Sequence, residues 1–144
     1  MIRINFITPE EAVNIRKIVL RKNIELPSEF KGDHDQDTFH LGLFYIEQLV
    51  CVVSFMKNNH PDLKGNQYQL RGMATLEEFQ KKGLGKLLIE HSEKILQERN
   101  AGLVWCNARV KALNFYKKQG FLIYGKQFEI PLIGGHYVMY KPIL

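Results

Sequence analysis

Two glycines and three lysines lie close together in the segment Gln80–Lys86. Gly83 and Gly85 are separated by a single residue, and glycine lets backbone amides approach a ligand that a side chain would keep at a distance. An amphipathic helical pattern begins inside this segment, where the first amides of a helix are unpaired and lie at the positive end of its dipole. The lysines, Lys81, Lys82 and Lys86, add positive charge. These residue types at this spacing suit a pyrophosphate that is held mainly by backbone N–H groups.

Two other phosphate-binding motifs fit this segment less well. A P-loop needs Ser or Thr directly after its Lys, whereas Leu87 follows Lys86, and its first glycine would fall at Gln80. The dinucleotide fingerprint needs a third glycine at the position of Leu88. On these residues alone, a glycine-rich turn without a ligand remains an alternative.

Length and composition predict an ordinary globular protein. The 144 residues suffice for one domain, residues 1–144, which would bury roughly two-thirds of its unfolded surface. The N-terminus has no continuous apolar run, and no stretch approaches the roughly 18 apolar residues of a membrane span. Cys51 and Cys106 lie far apart in apolar runs, without the spacing of metal ligands. We therefore expect a cytoplasmic protein with buried free thiols, no membrane contact and no metal.

The charge distribution bears on the kind of ligand. The net charge is +5, and lysines are spread along the chain. The local excess in Gln80–Lys86 fits a small polyanionic cofactor better than a nucleic-acid groove, because no basic stripe with interleaved aromatic residues accompanies it. No nucleic-acid partner is expected.

The apolar periodicity predicts the element order β-α-irregular-β-β-β-α-β-α-β-β. Thr8 as N-cap, Pro9 at the first helical position and Glu11 as capping-box residue mark the start of the first helix. Gly120 fits the left-handed position after the last helix. The predicted strands are Ile2–Phe6, Phe39–Tyr45, Leu49–Met56, Gln67–Thr75, Leu103–Cys106, Phe121–Tyr124 and His136–Tyr140, and the later helices end near Arg99 and Gln119. This order indicates an α/β sandwich with a mixed sheet.

Two motifs resemble those of a known family. The pattern Gln-x-x-Gly-x-Gly after a strand, at Gln80, resembles the coenzyme A loop of the GNAT N-acetyltransferases. A helix with the aromatic pair Phe115–Tyr116 before Gly120–Phe121 is similar to the second GNAT motif, and the tail, with His136-x-x-Met, is similar to one GNAT branch. One departure is Arg109, where many family members have Asn. The resemblance implies the GNAT fold, an α/β fold with a mixed, mostly antiparallel central sheet flanked by helices.

The resemblance also implies an activity and a set of site residues. The activity would be transfer of an acetyl group from acetyl-CoA to a primary amine by direct attack, with no metal. Tyr116 would protonate the departing thiolate, and Asn107 would be a second catalytic residue. The backbone of Met73, Ala74 and Thr75 would pair with the pantetheine arm, and the amides of Gln80, Lys81, Lys82, Gly83, Leu84, Gly85 and Lys86 would hold the pyrophosphate.

The proton transfers rest on ordinary acidities. A phenol, with a pKa of about 10, can donate to a thiolate whose conjugate acid has a pKa of about 8.5 at small cost. The amine must also lose a proton, which costs roughly 4.6 kcal/mol at pH 7 for a lysine-like group. The sequence leaves the general base open among His34, His40, Glu78 and His136. A structural role for Tyr116 is the alternative.

An acidic segment between the first helix and the hairpin predicts the acceptor side. Asp33, His34 and Asp35, with Asp37, would attract a cationic amine from opposite the coenzyme A loop, and a solvated acidic loop is the alternative. The acceptor would be a small-molecule or peptide amine, and a homodimer is one possible assembly. Two rival functions remain at this point: an acyl-CoA-binding regulatory or sensor module, and an acyltransferase that prefers a longer acyl chain.

Overall fold

The computed structural model describes residues 1–143. Within them a 7-stranded sheet has the order β1-β2-β3-β4-β5-β7-β6, and only the β4–β5 pair is parallel. The strands are β1 Ile2–Phe6, β2 Phe39–Tyr45, β3 Gln48–Met56, β4 Gln67–Thr75, β5 Leu103–Arg109, β6 Leu122–Ile130 and β7 Gly134–Pro142. The helices are α1 Pro9–Val19, α2 Leu84–Glu98 and α3 Leu113–Lys118, with short 3-10 turns at Glu77–Phe79 and Val110–Ala112. The predicted α/β class and mixed, mostly antiparallel sheet are confirmed.

The start of α1 is fixed by local chemistry. The Thr8 hydroxyl accepts a hydrogen bond from the Glu11 amide at 3.1 Å, and the Glu11 carboxylate accepts one from the Thr8 amide at 2.9 Å. Pro9 occupies the first helical position, where its missing N–H costs nothing. The predicted capping box is therefore confirmed, and it sets where the chain turns back onto the sheet.

The two long helices lie on opposite faces of the sheet. Arg16 of α1 bonds to the Ser54 hydroxyl of β3, whereas Phe55, the next residue of β3, packs against Ile89 and Leu96 of α2. Successive side chains of a strand point to opposite faces. We call these the α1 face and the α2 face. No helix within residues 1–143 is long and apolar enough to span a membrane.

The sheet opens between its two parallel strands. β4 and β5 pair only from Gln67 with Leu103 to Gln69 with Trp105. Beyond that point β4 stays with β3 and β5 stays with β7, so residues 70–75 and 106–109 are not paired with each other. We call the gap between these two segments the fork. Its walls are open strand edges, whose backbone groups are available to a ligand.

A β-bulge lies on the β4 wall of the fork. Arg71 pairs with Ser54 and Ala74 with Val52, so β4 has one residue more than β3 across this interval. Gly72 has a φ of +64°, a left-handed conformation that glycine adopts without steric cost. Bulges of this kind redirect a strand and are frequent beside active sites.

The last three strands are longer than predicted. β5 continues to Arg109, and β6 and β7 form a longer hairpin whose pairing resumes at Phe128 with His136 after an irregularity. β6 is an edge strand that is exposed along most of its length, so polar residues replace the apolar alternation that marks a buried strand. Gly120, with a φ of +93°, takes the predicted left-handed position after α3.

Candidate active site

The segment Gln80–Lys86, which we call the glycine loop, presents a row of free amides. Lys81 and Gly83 have φ values of +61° and +77°, and Gly83 is the N-cap of α2. The first backbone amide of the helix with an intrachain acceptor is that of Leu87, which donates to the Gly83 carbonyl at 3.3 Å. Between residues 81 and 86, no amide donates to a described acceptor. Converging amides at a helix start form an anion-binding site.

Gln80 holds the loop in place. Its N–H donates to the Glu77 carbonyl at 3.2 Å, and its side-chain amide donates to the Thr75 carbonyl at 2.9 Å. The Gln80 amide therefore differs from those of residues 81–86, because the 3-10 turn before it already uses this donor, and its contact with pyrophosphate stays a prediction. The side chain ties the loop to the end of β4.

The glycines differ in what they permit. A Cβ on Gly83 would meet no atom within 4 Å, so only its φ favours glycine there. A Cβ on Gly85 would lie 3.0 Å from Met73 Cε and 3.2 Å from the Phe115 ring. Gly85 thus lets the start of α2 pack against the β4 wall and α3. The structure brings together the glycine loop, Met73 and the second predicted motif.

Tyr116 lies in the core beside the fork. Its ring packs edge-on against Phe115 and Phe121, with ring centroids 5.1 and 5.3 Å apart. Burial raises the pKa of Tyr116 well above its usual value, the neighbouring Cys106 and Cys51 thiols raise it further, and the Arg109 guanidinium acts against this rise. The phenol is therefore protonated at neutral pH. No described residue forms a hydrogen bond with its hydroxyl group.

Both cysteines are buried and protonated at neutral pH, which disfavours a nucleophilic role. Burial raises the pKa of Cys51 to about 11, although a hydrogen bond with Thr75 at 3.1 Å opposes the rise. Burial raises the pKa of Cys106 further still. The prediction of buried free thiols is confirmed.

Asn107 and Tyr116 lie on opposite sides of the sheet. Val104 packs on the α2 face together with Phe121, the residue that contacts Tyr116. The pairing of β5 with β7 has no register shift, so side chains alternate along β5. Asn107, three residues after Val104, therefore points to the α1 face, where it is exposed. The two predicted catalytic residues are therefore not adjacent.

Asp33, which was predicted to attract a cationic amine, carries a buried carboxylate. Arg16 of α1 donates to both of its oxygens, at 2.8 and 2.9 Å, and the Phe30 amide donates to one of them at 2.7 Å. Burial alone would raise the pKa of Asp33, but these hydrogen bonds outweigh it and hold the pKa below its usual 3.8. Asp33 is engaged in a structural ion pair and is not free to attract an amine.

His34 and Asp35 are exposed, but they do not face the glycine loop. They line a cavity of about 480 Å³ that also contacts Phe6 and Arg99. Arg99 directly follows α2, whose 15 residues extend about 22 Å from the glycine loop. The expectation that this acidic segment lies opposite the loop is wrong. We call this space the distal cavity.

Three arginines gather on the α1 face of the fork, and sequence reasoning missed them as a group. The guanidinium carbons of Arg71 and Arg21 lie 4.2 and 5.6 Å from the centroid of the Phe30 ring. Arg21 and Arg109 both donate to the Leu20 carbonyl, at 3.3 and 3.2 Å. We call Arg21, Arg71 and Arg109 the arginine cluster. Arg71 lies on the β4 wall of the fork, and Arg109 lies on the β5 wall.

The arginine cluster has an excess of positive charge. Burial, followed by repulsion from Arg109 and Arg16, lowers the pKa of Arg21. Burial and then Arg16 lower the pKa of Arg71, while Asp33 acts in the opposite direction. Asp33 is already paired with Arg16, so it does not neutralise the cluster. Like charges held together at partly buried positions favour the binding of an anion between them.

Of the four candidate bases, the geometry favours His136. It is buried and lies directly opposite Arg109 in the β5–β7 ladder. Its Nδ1 lies 2.7 Å from the Gly134 carbonyl, which can only accept, so Nδ1 carries a proton and Nε2 is the acceptor of the neutral ring. Because paired residues on neighbouring strands share a face, His136 lies on the α1 face with the arginine cluster.

The other candidates are less suited to the role of base. His40 uses both ring nitrogens, at 2.6 Å to the Ser54 hydroxyl and 2.9 Å to the Asp33 carbonyl. Burial lowers the pKa of His40, against the pull of the Asp33 carbonyl and charge. His34 lies in the distal cavity, and Glu78 is exposed in the turn before the glycine loop.

Comparison with known proteins decides the family. The model of the acetyltransferase (GNAT) family matches residues 9–121. The chain belongs to the GNAT family. An uncharacterised N-acetyltransferase of Bacillus subtilis, YitI, is 39% identical over 145 residues, covering 99% of this chain and 97% of YitI.

Solved structures agree with the GNAT assignment at the level of the fold. Escherichia coli ElaA superposes with a TM-score of 0.81 and 18% identity, covering 98% of this chain and 99% of ElaA. An aminoglycoside 6'-N-acetyltransferase complexed with coenzyme A gives a TM-score of 0.78 and 12% identity, covering 99% and 97% of the two chains. The GNAT family uses acetyl-CoA, and the free amides of the glycine loop suit its pyrophosphate.

One departure of the sequence from the common GNAT motif pointed to the arginine cluster. Arg109 stands where many members have Asn, and the structure places this guanidinium at the fork, between His136 and the C-terminus of α1. The other members of the cluster gave no such signal, because Arg21 and Arg71 reach it only through the packing of α1 and the β4 wall.

Proposed function

We propose that this GNAT protein transfers the acetyl group of acetyl-CoA to an amine that also carries an anionic group. The observation that carries the proposal is the division of the fork. The glycine loop and Tyr116 lie on its α2 face, and the arginine cluster lies on its α1 face, with His136 on the next strand beside Arg109. A cosubstrate and an acceptor that enter from opposite faces would meet in the gap between β4 and β5. Such an arrangement suits direct attack without a covalent enzyme intermediate.

The cosubstrate half of the site consists mainly of backbone. The amides of residues 81–86 would bind the pyrophosphate, and the open edge at Met73–Thr75 would pair with the amide groups of the pantetheine arm as an added strand does. The bulge at Gly72–Met73 would aim one backbone amide at the thioester carbonyl, where negative charge develops.

His136 would remove the proton of the acceptor amine. A lysine-like amine costs roughly 4.6 kcal/mol to deprotonate at pH 7, so a positioned base should accelerate the reaction. The hydrogen bond from Nδ1 to Gly134 fixes the ring with Nε2 as acceptor. The adjacent Arg109 would place the anionic group of the acceptor beside this base.

Tyr116 would protonate the leaving thiolate from the other face. Its raised pKa keeps the phenol protonated before transfer, and the Arg109 guanidinium lowers the cost of forming the phenolate. Asn107, exposed on the α1 face, would contact the acceptor and not the thiolate.

The arginine cluster would select the acceptor by charge. Guanidinium groups bind carboxylate and phosphate in a bidentate manner, and they repel a polyamine. This preference is the reverse of the one predicted from the acidic segment, because Asp33 is paired with Arg16 and because His34 and Asp35 line the distal cavity.

Acetyl transfer to matched pairs of amines tests the proposal. The pairs are each L-amino acid with its carboxamide, and O-phosphoethanolamine with ethanolamine; putrescine serves as a cationic comparison. We expect kcat/KM for the best anionic acceptor to exceed that of its neutral partner at least tenfold. Hydrogen bonds to charged groups contribute about 1.5–3 kcal/mol, so Arg71→Gln should lower this ratio by about 10- to 100-fold.

The matched control is Arg3→Gln. Arg3 is exposed on β1, where it pairs loosely with Glu47 at 3.5 Å. The same change of charge there should leave the preference intact. Faster transfer to putrescine or to the neutral amines would refute anion selection, and tight binding of acetyl-CoA without transfer to any amine would favour a sensor module. A larger kcat/KM with hexanoyl-CoA than with acetyl-CoA would indicate preference for a longer acyl chain.

A further inference from the structure

The distal cavity is an open, shallow depression of ligand size, and the proposed acetyl-transfer site does not use it. Its volume of about 480 Å³ falls within the range of roughly 300–1,000 Å³ that is common for small-molecule sites. It opens at the end of α2 that lies away from the glycine loop. Its apolar and charged lining residues include Phe6, Ile7, Pro9, Phe39, His34, Asp35 and Arg99.

Arg99 provides a preorganised cation in this cavity. Its guanidinium carbon lies 4.4 Å from the centroid of the Phe39 ring and 5.9 Å from that of Tyr68, and Nη1 donates to the Asp37 carbonyl at 3.0 Å. No carboxylate of the described residues lies within 4.0 Å of it, and its Nε and Nη2 atoms donate to none of them. The Nε–Nη2 edge matches the two oxygens of a carboxylate.

An apolar surface adjoins this cation. Phe6 is 62% exposed at the end of β1, and its ring packs edge-on against Phe39 with centroids 6.2 Å apart. Ile7 and Pro9 continue this surface along the cavity. A large exposed aromatic ring beside a stacked guanidinium suits a ligand with an apolar body and one anionic end.

The remaining charges favour a ligand with one negative charge. Asp35 and Asp33 also line the cavity, so a second negative charge on the ligand, as in a phosphate monoester, would face carboxylates and not Arg99. His34 has an acidic neighbour of its own, since its Nε2 lies 3.9 Å from a Glu10 oxygen. We propose that the distal cavity is a second binding site, which takes a small monocarboxylate with an aromatic or branched apolar body.

Binding of 3-phenylpropanoate to the full chain tests this assignment. The neutral 3-phenylpropanamide and the cationic 3-phenylpropylamine keep the apolar body and change only the charged end. Calorimetry should show the carboxylate binding at least tenfold more tightly than either analogue. Amide chemical-shift changes should centre on residues 33–40 and Arg99, which separates this site from the arginine cluster at the fork.

Two variants and a control complete the test. Arg99→Gln should weaken binding of 3-phenylpropanoate at least tenfold, and Phe6→Ser should weaken it severalfold. Because Phe6 is mostly exposed, Phe6→Ser should fold and still test binding if Arg99→Gln does not fold. Arg3→Gln should have no effect. Equal or tighter binding of the amine, shifts centred on the fork, or no binding at millimolar concentration would each overturn the assignment. The assay needs no acetyl transfer, so its failure leaves the proposed function standing.

Discussion

Replacing Asp33 by asparagine should strongly destabilise the fold. The carboxylate accepts three hydrogen bonds, from both terminal nitrogens of Arg16 and from the Phe30 amide. Both side chains of the ion pair are almost completely buried, with 0% and 2% of their surface exposed. The amide of the variant would have a single acceptor oxygen, and its own hydrogens would face the donors of Arg16.

The expected loss follows from this geometry. Removing one partner of a buried ion pair costs about 3–5 kcal/mol, because the other charge is left without compensation. The whole domain is stabilised by roughly 5–15 kcal/mol, so Asp33→Asn would remove a large share and lower the Tm by about 10 °C or more. Arg16 would keep its hydrogen bonds to the Ser28 carbonyl and the Ser54 hydroxyl, but neither neutral oxygen compensates its charge.

Urea unfolding at pH 7 measures the effect. Asp35→Asn is the matched control, because Asp35 is an exposed neighbour whose change should stay within about 0.5 kcal/mol. The pKa of folded Asp33 lies below its usual 3.8, so the stabilisation is present above that pH and is lost as the pH falls through the folded pKa. A loss below about 1 kcal/mol, or one equal to that of Asp35→Asn, would refute the reasoning.

Four further outcomes can be checked. His136→Gln should lower kcat/KM about 10²- to 10⁴-fold at pH 7 and by less at high pH, where the amine deprotonates unaided; a loss independent of pH would speak against a base. Tyr116→Phe should lower kcat, measured where chemistry limits the rate, with calorimetric acetyl-CoA affinity nearly unchanged; full retention of kcat would exclude it as the acid. Burial lowers the pKa of His40 from 6.5, so the stability of the wild type against urea should fall as the pH drops from about 7 to 5. His40→Gln should make stability depend less on pH, and an equal pH dependence in the variant would contradict this assignment. Gly83→Ala should cost about 1 kcal/mol through its φ of +77°, and Gly83→Asn less, as urea unfolding would show; equal losses would point to a lost contact instead.

The sequence predicted features whose causes are local. The capping box at Thr8 and Glu11 involves residues three positions apart, and the bounds of Gln67–Thr75 follow from its own pattern. The glycine loop was recognisable because its glycines and the helix after it are adjacent in the chain. For these elements the determining interactions lie within one turn or one strand.

The arginine-bearing face of the fork depends on contacts between distant residues. Arg71 and Arg109 flank a gap that exists only because β4 and β5 diverge, and no periodic pattern encodes where two paired strands separate. Asp33 looked like one member of an acidic run, and its partner Arg16 lies on an apolar helix face 17 residues earlier. A charge on such a face is the one sequence sign that a buried partner exists.

The short ladder between β4 and β5 is also a weak junction in the sheet, which we call the seam. Three residue pairs join the half that contains β1–β4 to the half that contains β5–β7. A ligand that bonds to both walls of the fork supplies cross-links that the chain itself lacks, and at 100 times its Kd it adds about 2.7 kcal/mol to stability. For such a ligand, resistance of the amides along the seam to hydrogen exchange, and of the chain to proteolysis, would track how much ligand is present, so ligand supply would set how long the chain survives.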